Sequence, residues 1–439
     1  MPLVKDADMG ETTFSCDELF DAAQAIEPDV ISWRHHLHQY PELSNREVKT
    51  AEYIAQRLRD FGFREEDIHE GVGGTGVLAR LTGTRSGHSD KAVLLRADID
   101  ALPVKEESDL PYKSTQVQDY PGGPFPVAHA CGHDCHTSML LGAAQVLASH
   151  RAQIPGTVYF AFQPAEEGAP EGEEGGAAFM LSSPEFQELS PRPSLAFGMH
   201  VTPAPTGMVG WTTNVQHAAS EMVKITVVGE QVHGSSPWAG RDPLPPAADI
   251  ISAMGQLYRQ FDAKDAFSIS IGHVEDQGRF NIVGEQVTLF GTVRCLNANL
   301  MDDINAAITR TCRHIAAAYN CRGEVEFHQQ VPAVVNAPET VAALQPALIA
   351  AAGGEDRVFA APASLGYDDV SEFINAFGGM YALLGVQDVE SVPNGLPRAT
   401  AGGRGFAPNH SPRFYANDAA LLTGVRMHLA VVAQHLGLA

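Results

Sequence analysis

An α/β architecture carrying a second, inserted unit is expected for this chain of 439 residues, and three features point to it. The runs AVLLRAD, GTVYFAFQ and SLAFGMH are continuous and apolar, as strands buried on both faces of a mostly parallel sheet must be. Helical patterns separate them, the alternation that covers such a sheet on both faces. Around residue 216 the texture changes to alternating, β-branched strands in the order β-α-β-β-α-β, which reads as a ferredoxin-like unit.

Taken in order, Ser44 and Glu47 are spaced as a capping box, with Thr50, Ile54, Leu58 and Phe61 at helical spacing behind them and Gly62 as the stop. Val93, Leu94 and Leu95 form the first buried strand, TSMLLGAAQVLASH a helix, and residues 156–163 and 194–200 the next two strands. In the second unit EMVKITVVG is a half-exposed strand, HGSSPWAGRDPLPP a loop and AADIISAMGQLYRQF a helix. Strands FSISIGHV and QVTLFGTVRCL follow, then helix MDDINAAITRTCRHIAAAY and strand EVEFHQQ. The expected division is the first part of the α/β domain at 1–215, the inserted domain at 216–331, and the second part at 332–439. The segment SVPNGLPRATAGGRGFAPNH, residues 391–410, is irregular and Gly/Pro-rich: a surface loop, or one that delivers a group to a site. No internal repeat or heptad pattern is visible.

Apolar residues make up 44% and charged residues 19%, a globular composition. The formal net charge of -24 argues against nucleic acid or an anionic membrane surface as the main partner. It also means that an anionic substrate needs a local Arg or Lys to hold it. MPLVKDADMGETTF has no apolar run of signal-peptide length, and no stretch approaches a transmembrane span. Six cysteines without a secretory signal read as reduced thiols or metal ligands, so a cytoplasmic location is expected.

The chemistry concentrates in HACGHDCH, residues 129–136. A structural zinc site would draw its ligands from two separated pairs, and no second pair is present. A cysteine nucleophile, Cys131 with His133, would ask two near neighbours in sequence to face each other, and it leaves other residues unexplained. A catalytic metal site instead predicts further ligands at the carboxyl ends of other strands. Glu166 and Glu167 stand directly after one strand, and His200 directly after another. Adjacent glutamates in an acidic loop are ordinarily solvated, but the Gln-Pro-Ala turn behind a core strand argues the other way.

RHHLHQYPELSNRE, LLRADIDALPVKEE, HACGHDCHTSMLLGAA, FQPAEEG and GMH, in this order, resemble the aminoacylase/carboxypeptidase family of two-metal hydrolases. Within it they resemble the amidohydrolase branch of hippurate hydrolases, N-acyl-amino-acid hydrolases and indoleacetyl-amino-acid hydrolases. The resemblance spans nearly the whole chain. It implies a metal-binding α/β domain interrupted by a ferredoxin-like lid that forms a homodimer. It implies two divalent ions, zinc or manganese foremost with cobalt or nickel open, on Cys131, His133, Glu167, His200 and His410, the Cys131 thiolate lying between them. Glu166 matches the general base, Asp98 a carboxylate that orients a ligand, and His233 the lid histidine that enters the partner subunit's site. Asn281 and Arg294 match the pair that grips the substrate's carboxylate. His129, Asp134 and His136 are read as supporting residues or helix start. The activity implied is hydrolysis of N-acyl or N-aroyl amino acids. The alternatives are a metallo-carboxypeptidase or dipeptidase, a cysteine hydrolase using Cys131, and a non-enzymatic metal-binding module. Cys135 in place of glycine, NIVGE after Arg279–Phe280 and YDDVSEF at 367–373 depart from the family's pattern and bear on substrate identity.

Overall fold

In the computed structural model, which describes residues 16–85, 90–392 and 396–438, the three apolar runs become neighbouring central strands. The MPLVKDADMGETTF stretch and residues 393–395 of the Gly/Pro-rich segment lie outside the described residues. The chain divides into two units, one formed by Met1–Gly210, Glu339–Phe359 and Phe377–Ala439, the other by Trp211–Pro338 and Ala360–Ala376.

The first unit begins with helices α1 (Cys16–Ala25), α2 (Glu27–Gln39) and α3 (Val48–Asp60), followed by strands β1 (Ile68–Val72), β2 (Gly76–Thr82) and β3 (Ala92–Asp98). Next come α4 (His133–Ser149), β4 (Thr157–Gln163), β5 (Ala196–Pro205) and β6 (Val209–Trp211). In the second unit lie β7 (Ala219–Val228), α5 (Leu244–Met254), β8 (Phe267–Asp276), β9 (Gln286–Cys295), α6 (Met301–Ala318) and β10 (Arg322–Val331). The chain returns to the first unit with α7 (Pro338–Ala352), β11 (Val358–Ala360), β12 (Gly379–Gln387) and α8 (Leu421–Leu436).

The large sheet runs β1-β2-β4-β3-β5-β12-β6-β11. Its four central strands are parallel, with Leu94 of β3 level with Tyr159 of β4 and Ala196 of β5. Every residue of β3 and of β4 is buried, which is why both read as unbroken apolar runs. The flanking strands β1, β2 and β6 join antiparallel, because β1 and β2 are linked by a turn too short for a crossover. Helices α4 and α8 pack on the centre of this sheet, and α1 and α2 pack on α4.

The second unit holds a four-stranded antiparallel sheet in the order β8-β9-β7-β10. Val223, Ile225 and Val227 of β7, with Leu289 and Val293 of β9, meet Ile250 of α5 and Ile304 and Ile308 of α6 in one core.

One local expectation fails instructively. Helix α3 does end as read: Phe63 N–H reaches Leu58 O and Gly62 N–H reaches Arg59 O, with Gly62 at φ +88°, a Schellman motif. Its start, however, is no capping box: Glu47, the N-cap residue, makes no cap hydrogen bond, and the Glu42 carboxylate accepts the Thr50 amide at 2.9 Å in its place. The Ser44 hydroxyl donates instead to Asp100, and Glu47 accepts from the Thr75 hydroxyl and the Ala165 amide. Both side chains are buried, and satisfying polar groups in the interior outweighs a local cap that Glu42 supplies instead.

The α2–α4 contact is fixed by charge as well as packing. Arg34, 1% exposed, donates through Nε to Asp134 at 3.0 Å, and His38 Nδ1 meets the same carboxylate at 2.9 Å. His38 Nε2 faces Glu106 at 3.1 Å. Burial alone would lower the His38 pKa, but Asp134 and Glu106 prevail and push it up to about 9. Asp134→Asn leaves two buried cations short of their anion and is expected to cost about 3–5 kcal/mol in chemical denaturation. Because the folded-state pKa of His38 lies above the ordinary ~6.5, its stabilisation is complete below that value and lost as pH rises through about 9. Unfolding free energy is therefore expected to fall between pH 7 and 9.5, and His38→Gln to flatten that limb.

Candidate metal centre

The carboxyl ends of β3 and β4, the middle of β5 and the start of α4 converge in the first unit, His200 lying inside β5 and not at the strand end expected from the sequence. Strand β3 delivers Asp98 and, two residues on, Asp100; the turn after β4 delivers Glu166 and Glu167; β5 carries His200. The loop before α4 carries Cys131, and His133 opens the helix. His410 arrives on the Gly/Pro-rich loop, held by its N–H to Ala130 O at 2.7 Å.

Two groups of ligand atoms share Cys131: one with His133 and His200, the other with Glu167 and His410, each set lying within 4.8 Å of one another. Cys131 Sγ is 3.2 Å from His200 Nε2, and His410 Nε2 is 3.2 Å from Glu167 Oε1. Glu166, 6% exposed, belongs to neither thiol-centred group and lies 3.8 Å from His133 Nε2. The site residues expected in this unit are thus brought together.

The supporting contacts fix which ring nitrogens face inward. His133 Nδ1 bonds the Asp100 carbonyl at 2.9 Å and carboxylate at 3.1 Å, leaving Nε2 buried with no hydrogen-bond partner. His200 Nδ1 donates to Val201 O at 2.6 Å, so Nε2 presents its lone pair to the thiol. Asp98 lies 3.8 Å from His133 Nδ1 and is joined instead to His136 Nδ1 at 2.5 Å and to Arg96 at 2.8 Å. His136 Nε2 then accepts the Val201 amide at 2.9 Å, so Asp98 acts on His200 through His136 and the backbone. Of the motif's remaining polar residues, Asp134 anchors Arg34 and His38, while His129 is a buried ring with no hydrogen-bond partner at either nitrogen, its pKa lowered by burial to about 4.

The electrostatics ask for cations. Burial, then Glu167, Glu166 and Asp98, push the Cys131 thiol well above its usual range. Burial works to lower the pKa of His133, but Asp98, Asp100 and Glu167 raise it to about 10. A thiol destined to attack carbonyls would be pushed down instead, which disfavours the cysteine-nucleophile alternative. The buried His133 Nε2, which has no hydrogen-bond partner, and the mixed sulfur, nitrogen and oxygen donors fit divalent metal ions.

Four contributors escaped the sequence reading. Asp100 accepts from Ser44, from the Glu167 amide and from His133; its spacing from Asp98, i and i+2 at a strand end, was the available signal. Arg34 and His38 stand one helical turn apart in RHHLH. Asn409, whose Nδ2 donates to Cys131 O at 2.9 Å, carries no signal beyond adjacency to His410.

The other expected site residues belong to the second unit. His233 and Asn281 adjoin each other, since the Gly234 amide donates to Asn281 O at 2.8 Å and His233 pairs with Ile282. His233 is exposed, and its Nδ1 accepts from the Ser235 amide at 3.1 Å. Arg294 donates to Leu365 O at 3.2 Å and lies over the Tyr367 ring at 4.9 Å. It stands near the far end of β9, about 27 Å along the strand from Gln286, so Asn281 and Arg294 are not brought together within this unit.

Comparison with known proteins gives the site a context. Residues 94–434 match the model of peptidase family M20/M25/M40. The chain is 32% identical over 416 residues to thermostable carboxypeptidase 1 of Saccharolobus solfataricus, covering 94% of this chain and 96% of that one. It is 34% identical over 310 residues to the hippurate hydrolase of Campylobacter jejuni, covering 70% and 75%. A crystal structure of a dinuclear metal-binding peptidase of family M20 from Bacillus subtilis superposes with a TM-score of 0.70 at 27% identity, covering 94% of this chain and 99% of that one.

Gly132, between Cys131 and His133, adopts φ +101°, and a Cβ there would lie 2.2 Å from Val201 Cγ2. Gly132→Ala is expected to displace both side chains and to lower metal content measured by atomic emission from purified protein to well under half of wild type. Asp100→Ala should weaken metal affinity by about 10–100-fold in a chelator competition, the usual effect of removing a group that orients a ligand.

Proposed function

This chain belongs to peptidase family M20/M25/M40 and is a metal-dependent hydrolase acting on amide bonds, and from that premise we propose that it cleaves N-acyl or N-aroyl amino acids. The products are a carboxylic acid and a free amino acid. The observation that carries this reading is the pairing of Glu167, within reach of the Cys131 thiol and His410, with a buried neighbour, Glu166, outside both thiol-centred groups.

In this reading Cys131, His133, Glu167, His200 and His410 hold two divalent ions, the thiolate between them. When bound, such ions polarise a scissile carbonyl and make water acidic near pH 7. Thiolate and imidazole favour zinc, the carboxylate leaves manganese open, and cobalt or nickel follow. Glu166 takes the proton of the attacking water and hands it to the leaving nitrogen, a task open to a carboxylate whose lone pairs are not engaged by a metal. Asp98 and Asp100 hold the histidine rings for this work.

We assign the second unit as a ferredoxin-like lid, the inserted domain of the expected 1–215, 216–331 and 332–439 division, and place self-association there. Phe280 at 102% and Trp238 at 81% exposure, on the segments bearing Asn281 and His233, support a covered surface. The separation of Asn281 from Arg294 supports a site served by two subunits: His233 and Asn281 from the partner, the former stabilising the developing oxyanion, and Arg294 supplying a planar fork for the substrate's carboxylate. A cation at that point lets a protein of net charge -24 hold an anion. A reducing cytoplasm suits a thiolate ligand beside five further cysteines, all of them free.

The carboxypeptidase relative keeps a second reading open, hydrolysis of short peptides with a free C-terminus. A panel of N-acetyl, N-benzoyl and N-indoleacetyl amino acids and dipeptides, assayed for amine release with added zinc or manganese, separates the two. Acyl amino acids are expected to turn over faster, and dipeptides outrunning them would favour the second reading. Glu166→Gln should lower kcat by about 10²–10⁴-fold while keeping its metal content; wild-type turnover in that variant sinks the general-base assignment.

A further inference from the structure

Glu47 is a buried carboxyl group that the chemistry above does not use. It is 0% exposed and receives the Thr75 hydroxyl on Oε2 at 2.5 Å and the Ala165 amide on Oε1 at 2.9 Å. Ala165 immediately precedes Glu166 and sits at φ +53°, in the left-handed region. For a residue with a Cβ that conformation is strained and persists only where its surroundings hold it. One residue beyond Glu166, the Glu167 amide donates to Asp100 at 3.0 Å. The two buried carboxyl groups therefore grip the turn on either side of Glu166, one at the strained peptide before it and the other at the amide after it.

We propose that Glu47 is a positioning residue for Glu166, holding the strained Ala165 peptide so that the neighbouring carboxylate is aimed at the reacting atoms. The proposal rests on the assignment of Glu166 as general base. Its reach comes from geometry: Glu47 begins α3, Thr75 lies in the β1–β2 turn, and Ala165 follows β4, so three elements of the first unit fix one peptide. Burial and the nearby Asp100 push the Glu47 carboxyl up to about 8, so a neutral glutamine amide is a close substitute at this position.

The test compares Glu47→Met, Glu47→Gln, Ala165→Gly and the Glu47→Met/Ala165→Gly double variant, each loaded with metal. Glu47→Met removes the acceptor at similar size and is expected to lower kcat by about 10–100-fold with KM changed by less than about 3-fold. Glu47→Gln keeps an oxygen for the Ala165 amide and should stay near wild type. Glycine adopts positive φ without strain, so the double variant should recover at least about tenfold of the lost kcat. Independently of activity, hydrogen exchange at the Glu167 amide, whose own acceptor is untouched, should quicken in Glu47→Met and slow again in the double variant. Unchanged kcat in folded Glu47→Met, or a loss that neither glutamine nor Ala165→Gly restores, overturns the proposal. Should Glu47→Met fail to fold, Thr75→Val releases the other oxygen; a fall in kcat restored by Ala165→Gly then supports the proposal, and unchanged kcat overturns it. If Glu166→Gln retains activity, the base assignment fails, while exchange at Glu167 still decides whether Glu47 holds the turn.

Discussion

Negative charge gathered around one buried thiol is the constraint on which the first unit's architecture depends. Cys131 is 6% exposed and faces Glu167, Glu166 and Asp98. Acids so placed repel one another and lose hydration, each unfavourable by several kcal/mol unless positive charge is supplied. His133, with its pKa raised to about 10, shows the same demand in miniature, since the surrounding acids raise the affinity of this base for a proton. A divalent cation satisfies it far more completely. Bringing these acids together by folding is therefore unfavourable by itself, and a bound divalent cation would offset it.

Holding such a cluster in place requires support that does not itself compete for the metal. Each central histidine is therefore bound through its outer nitrogen, His133 to Asp100 and His200 to its neighbouring carbonyl, while Asp98 acts at one remove through His136. Beneath the motif, Arg34 and His38 neutralise Asp134 and tie α2 to α4. A buried pair of this kind contributes little net stability compared with apolar residues of similar volume. Its value lies in direction: an arginine fork and a histidine on one carboxylate fix the first turn of α4, and with it His133.

The central strands were legible because complete burial leaves a plain mark, and β3 and β4 bury every residue. The change of period near residue 216 was legible for the converse reason, since β7 and β9 alternate between core and a more exposed face. Spacing also indicated that Glu166 and Glu167 stand just past a strand end, whereas His200, expected at the end of its strand, lies inside β5, and His410 and the division of roles came only from family resemblance. What stayed hidden depends on distant backbone. Ser44 and Glu47 satisfy a local capping pattern, yet their true partners, Asp100, Thr75 and Ala165, are separated from them by between 28 and 118 positions. Local periodicity carries no information about such pairings, and a strong local motif can mislead when the interior makes a better offer.

The adjacency of Glu166 and Glu167 shows how backbone geometry divides chemical labour between identical side chains. Consecutive residues in an extended strand would point to opposite faces, and a helix would set them about 100° apart, so neither regular structure aims both at one ion cluster. A turn that passes through positive φ at Ala165 reverses the chain and brings both carboxylates toward His133, at 3.8 and 3.9 Å from its Nε2. They nonetheless differ in their neighbours: Glu167 reaches the thiol and His410, and Glu166 does not. The strained peptide is thus the structural origin of the asymmetry. A conformation that costs folding energy yields two carboxylates near one centre, only one of which the geometry offers to both thiol and His410.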